Sequence, residues 1–134
     1  MRYLEDETGK MAKERFAEIV NSVSAAHGCT ATVDLREGYP VTRNNPKAVE
    51  AFFDIANQTI DPSQVLPFEH PVMGGEDFSY YCKEVPSCFF ALGLLPEGQE
   101  EMAALHQPKF DFNDDAIKTG ITMFCSLALQ TSLT

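Results

Sequence analysis

The sequence predicts an α/β (α+β) fold, and three observations carry that expectation. Apolar residues recur at three- and four-residue steps over residues 6–27, they alternate with polar residues over 31–36, and a short apolar run bounded by Pro86 and Gly93 occupies 88–93. The first spacing is that of a helix with one face against a core. The second is that of a strand with one buried side. The third fits a strand covered on both sides. With 134 residues, 44% of them apolar, the chain is long enough for one domain or two partial ones.

The elements follow in order. Met1 to Leu4 read as the end of a strand. Met11, Phe16, Ile19, Val20 and Val23 form the stripe of a first helix, from Asp6 to His27. Gly28 stops it, because glycine accepts the left-handed backbone a helix end calls for. Ala31, Val33 and Leu35 then alternate with Thr32, Asp34 and Arg36, so residues 1–37 read as strand, helix, strand. Residues 38–46 hold two prolines, a glycine and two asparagines, and mark a crossing between structural units at 1–38 and 39–134. Asn45 caps a second helix with Pro46 at its first position, and Val49, Phe52, Phe53, Ala56 and Ile60 supply its apolar side. Residues 61–75 are loop, Glu76 to Lys83 a short helix, 88–93 a buried strand and 94–111 mostly loop. The last helix runs from Asp114 to Leu129 behind an Asn113 cap, with Ile117, Ile121, Phe124 and Ala128 as its inner stripe.

A net charge of −10 argues against a nucleic-acid surface, which needs clustered lysine and arginine. Solubility is the plain reading of the excess acid, and cation binding by part of it is the other. No apolar stretch is long enough to span a bilayer. The acidic start Arg2-Tyr3-Leu4-Glu5-Asp6-Glu7 has no signal-peptide core, which makes the cytoplasm the expected location. Cys29, Cys82, Cys88 and Cys125 show no paired spacing of the zinc-knuckle kind. Cys29 and Cys125 read as buried thiols, and an approach of Cys82 to Cys88 is left open.

Two segments stand out chemically. In Met73-Gly74-Gly75-Glu76-Asp77-Phe78-Ser79 the glycines allow a tight turn and close approach of a ligand, and two acids fall at a helix start, where acids are favoured in any case. In Leu105-His106-Gln107-Pro108 a histidine sits in a long loop between a buried strand and the last helix, a place where α/β proteins gather ligands. His27 and His70 are weaker candidates. No local metal signature, nucleophile elbow or phosphate loop occurs.

Met73-Gly-Gly-Glu-Asp-Phe-Ser79, Pro86-Ser-Cys-Phe-Phe-Ala-Leu-Gly93, Leu105-His-Gln-Pro108 and Phe112-Asn-Asp-Asp-Ala-Ile117 come in that order. Together they resemble the C-terminal half of the metal-dependent N-acyl-amino-acid amidohydrolases, the family of aminoacylases, hippurate hydrolases, auxin-conjugate hydrolases and related carboxypeptidases. The first 35 residues resemble the second half of that family's inserted ferredoxin-like lid, which usually makes the dimer contact. Residues 37–42 resemble the return into its zinc-peptidase-like catalytic domain.

The resemblance implies hydrolysis of the amide bond of N-acyl amino acids or small peptides with divalent metal, zinc or manganese. It makes His106 a metal ligand, followed here by Gln107 where serine is common. Gly74, Gly75, Glu76, Asp77 and Phe78 become substrate-lining residues. The family's other ligands and its glutamate base belong to motifs this sequence does not contain. The chain alone is therefore expected to be an incomplete, inactive fragment that needs a missing N-terminal half, with no catalytic residue of its own. The alternative is a non-catalytic module that pairs through its sheet edges, with itself or another chain. A binding protein for acyl amino acids or cations is the third reading.

Overall fold

The computed structural model describes residues 1–130. Four α-helices follow one another: α1 (Asp6–Ala26), α2 (Pro46–Thr59), α3 (Tyr81–Glu84) and α4 (Asp115–Gln130). Two 3₁₀ turns, Pro62–Gln64 and Asp77–Tyr80, complete the regular structure, and there is no strand among the described residues.

The α/β expectation is thereby corrected. Residues 1–4, 29–36 and 88–93, all expected to be strands, run without regular secondary structure. The physical reason is that period-two alternation reports only which side chains share a face. A strand also needs a neighbour to exchange backbone N–H and C=O bonds with, and these segments form no such ladder. The sheet edges invoked for pairing are likewise not formed among the described residues.

The helix ends were legible. Gly28 sits at φ +67° after α1. Its N–H donates to Ala25 O at 3.0 Å, and that of Cys29 donates to Ser24 O at 2.8 Å. This is the paired closure that a left-handed residue makes possible at a helix end. Asn45 Oδ1 accepts from the amides of Lys47 (3.0 Å) and Ala48 (3.2 Å), so two otherwise unpaired donors at the start of α2 are satisfied, with Pro46 in the first turn. Asn113 Oδ1 accepts from Asp115 N at 3.2 Å at the start of α4.

The chain divides into two compact units. The first comprises Met1–Asn44 and Phe68–Ser87, the second Asn45–Pro67 and Cys88–Thr134. In the second, α2 packs on α4, and Ile55, Ala56 and Met123 are its buried apolar residues. Phe90 links the two helices, its ring centroid 4.6 Å from Phe52 on α2 and 5.5 Å from Phe124 on α4. Gly120 lets α4 approach the 88–93 segment, since a Cβ there would lie 3.3 Å from Leu92.

In the first unit the buried residues are Gly9, Ser79 and Ser87, with no buried apolar side chain among the described residues. Gly9 lies under the Tyr3 ring, 2.5 Å from where a Cβ would stand. Lys13 Nζ sits 5.6 Å from the centroid of the same ring. Ion pairs fix the unit's other joins: Lys13 to Glu37 at 2.5 Å and Arg43 to Glu5 at 2.6 Å.

Two apolar stripes do not face inward as expected. On α1, Met11, Phe16, Ile19 and Val23 are 44–58% exposed, and only Val20 is half-buried. On α4, Ile117, Ile121 and Phe124 are 56–65% exposed and Ala128 is also exposed, while Met123, on another face, is buried. Periodicity marks a stripe, but the neighbour available decides which face is covered. Cys29 and Cys125, expected to be buried, are exposed for the same reason.

Candidate functional site

The 73–79 segment belongs to the first unit. Neither Gly74 nor Gly75 has positive φ, so the tight turn expected there is not what these glycines supply. Gly75 instead allows close approach: a Cβ would stand 2.8 Å from Arg2 Nη1 and 3.4 Å from the Tyr39 ring, whereas Gly74 faces open space. Glu76 precedes the Asp77–Tyr80 turn in extended conformation, and its Oε1 accepts from Phe78 N at 3.3 Å. Its carbonyl accepts from Ser79 Oγ at 2.6 Å and from Ser79 N at 3.2 Å. Ser79 is fully buried by this arrangement. The Glu76 carboxylate is thus engaged as a cap, while Asp77 is exposed in the first turn. The Phe78 ring packs on Tyr81 at 5.6 Å, and Tyr39 meets Tyr80 edge-on at 6.1 Å.

His106 belongs to the second unit. It is the non-glycine residue with positive φ, +67°, among those described. A side chain in that region costs roughly 1–2 kcal/mol against the steric preference of L-residues, although histidine is among the residues found there more often than average. Two bonds hold the turn around it. Gln107 N donates to Ala104 O at 3.2 Å, and Ala104 N donates to Gln107 Oε1 at 3.1 Å. Phe110 N then donates to Gln107 O at 2.9 Å. The imidazole is exposed. His27 caps the C-terminal end of α1 and His70 lies exposed in a loop.

Each unit therefore holds one part of the expected set: residues 74–78 in the first, His106 in the second. No three His, Cys, Asp or Glu side chains come together to hold a metal ion among the described residues. A zinc or manganese centre needs three or four such ligands, so the residues present do not fit a complete centre.

Sequence reading missed a cleft of about 570 Å³ in the first unit, lined among others by Tyr3, Asp6, Lys10, Lys13, Glu37 and Tyr80. Its residues come from three separate stretches of chain, and no local spacing announces them. Its charges interact: the hydrogen bond from Lys13 lowers the Glu37 carboxyl below the ordinary carboxylate value, and the same bond raises Lys13. No helix is long and apolar enough to cross a membrane among the described residues.

Residues 4–130 match the family model described as Peptidase family M20/M25/M40. The chain is 32% identical over 133 residues to thermostable carboxypeptidase 2 of Saccharolobus solfataricus, covering 98% of this chain and 33% of that protein. It is 31% identical over 122 residues to IAA-amino acid hydrolase ILR1-like 2 of Arabidopsis thaliana, covering 88% and 27%. It is 26% identical over 130 residues to hippurate hydrolase of Campylobacter jejuni, covering 97% and 33%. The chain thus spans about a third of the length of the curated relatives it matches. No solved structure matches it.

Proposed function

This chain belongs to peptidase family M20/M25/M40, and from that premise we propose that it is the C-terminal part of a metal-dependent hydrolase acting on the amide bond of N-acyl amino acids or small peptides, catalytically incomplete by itself. Residues 1–38 contribute to the lid and dimer contact, and 39–134 to the catalytic domain. Gly74, Gly75, Glu76, Asp77 and Phe78 line the substrate cleft, and His106 donates one imidazole to a zinc or manganese ion whose remaining ligands come from outside this chain. Its proposed location is the cytoplasm.

The observation that carries the reading is the combination of a family match over nearly the whole chain with a span of only about a third of its relatives. The ligand set agrees, since one exposed imidazole does not hold a catalytic metal. So do the uncovered stripes of α1 and α4, because contiguous exposed apolar surface marks a place where other protein belongs.

Calorimetric titration of the purified chain with zinc, beside His106→Ala, tests this. Weak uptake that weakens further in the variant, with no cleavage of benzoylglycine, is the expected result. Tight zinc binding that survives His106→Ala would remove His106 from the site. Tight binding with turnover would overturn the incompleteness. A second reading, a non-catalytic module that self-associates through its exposed apolar surface, is favoured by the same two stripes. A discrete oligomer in sedimentation at micromolar concentration, without metal, would support it.

A further inference from the structure

We propose that Gln107 is a positioning residue that holds His106 in its left-handed conformation and so fixes where the imidazole is presented; this rests on the reading of His106 as a site residue. Three observations converge on it. His106 is the non-glycine residue at positive φ among those described, and so occupies a backbone state that persists only where neighbours enforce it. The turn that enforces it runs from Ala104 to Gln107 and is closed twice. One closure is backbone, Gln107 N to Ala104 O at 3.2 Å. The other is the Gln107 side chain, whose Oε1 accepts from Ala104 N at 3.1 Å.

The second bond has the geometry of half a capping box, in which a glutamine or glutamate reaches back three residues to a backbone amide. Here the loop has no helix to anchor it, and the side chain supplies the restraint. The reach depends on length. A serine hydroxyl, the group the family resemblance leads one to expect at this position, is two bonds shorter than a glutamine carboxamide oxygen. With glutamine here, a side-chain bond from residue 107 spans the turn back to Ala104, and the residue at positive φ lies within the span it closes. Phe110 N bonds to the Gln107 carbonyl at 2.9 Å and continues the restraint toward the chain beyond. That bond uses main-chain atoms and survives any side-chain exchange at 107.

The test uses the whole chain, without metal, and compares Gln107→Ala, Gln107→Ser and Gln107→Glu by NMR. Backbone carbon shifts of His106 report its conformation, and exchange of the Ala104 amide reports the bond. The expected result is that alanine and serine speed that exchange roughly 5-fold, as loss of one hydrogen bond implies, and move the His106 shifts away from left-handed values. Glutamate, which keeps the acceptor oxygen, restores both. The ring signals of Phe52 and Phe90 in the same unit serve as the check on folding. Unchanged His106 shifts in Gln107→Ala, with those rings intact, would overturn the assignment. So would a glutamate variant that behaves like alanine. Neither result touches the zinc titration, so failure of this inference and failure of the metal-ligand reading are told apart.

Discussion

The two units solve the problem of staying folded in different ways. The second buries Ile55, Ala56 and Met123 and stacks Phe52, Phe90 and Phe124 between two helices. The first buries a glycine and two serines, and relies on a tyrosine laid over Gly9, on the ring contacts of Tyr39 with Tyr80 and Phe78 with Tyr81, and on exposed ion pairs. Apolar burial is worth about 25 cal/mol per Å² and involves no charge for ions to screen, whereas exposed ion pairs contribute little and are screened. The buried apolar surface of the described residues therefore lies chiefly between α2 and α4, and α1 is a helix with most of its apolar face exposed.

Removing the buried sulfur side chain tests that most severely. Met123→Ala should destabilise the packing of α2 on α4 by about 3 kcal/mol, the cost of a cavity beside residues that cannot fully collapse. Amide hydrogen exchange along α2 reads it. Protection of α2 that does not change would mean that the aromatic stack alone holds the two helices.

Gly9→Ala is the corresponding test of the first unit. Alanine favours a helix by nearly 1 kcal/mol over glycine, yet its methyl would stand 2.5 Å from the Tyr3 ring. Displacement of the ring should outweigh propensity and cost about 1–2 kcal/mol, with faster exchange in α1. A stabilised α1 would show that Tyr3 moves aside freely and that the contact does not hold the unit.

The ion pairs give the smallest effect. Hydrogen bonds from Arg43 and Lys13 lower the Glu5 and Glu37 carboxyls, respectively, below the ordinary value. A lowered carboxyl contributes stability that is present above its unfolded pKa and is lost as pH falls through the folded one. The loss therefore falls on the acid side of the usual carboxylate range. Lys13 is raised by its bond to Glu37, so its contribution is complete below the unfolded lysine value and is lost as pH rises through the folded one. Thermal melts of the wild type and Glu37→Gln across acid pH should converge as the carboxyls protonate. Curves that stay parallel would show that the Lys13–Glu37 pair carries no stability.

How much was legible beforehand divides along a physical line. Helix ends depend on a few adjacent residues. Asn45-Pro46 before α2, Asn113 before α4 and Gly28 after α1 were readable because caps and left-handed stops act within one turn. The site motifs were also local enough to notice, and the family they resemble agrees with the match over residues 4–130. What those motifs do at atomic level was not legible. Glu76 spends its carboxylate on the Phe78 amide, and Gly75 makes room for Arg2. Nothing in the run Leu105-His106-Gln107-Pro108 announced a left-handed histidine.

The sequence by itself determined where helices begin and end, which residues form stripes, and which family the chain belongs to, because each rests on near neighbours or on ordered motifs. Only the tertiary structure decided which stripes are covered. α2 found Phe90 and α4, while the stripe of α1 stays largely exposed and that of α4 meets Phe90 through Phe124 but is otherwise exposed. It also decided that the alternating segments form no sheet, since alternation prepares a face for burial but only a second strand can supply the hydrogen bonds.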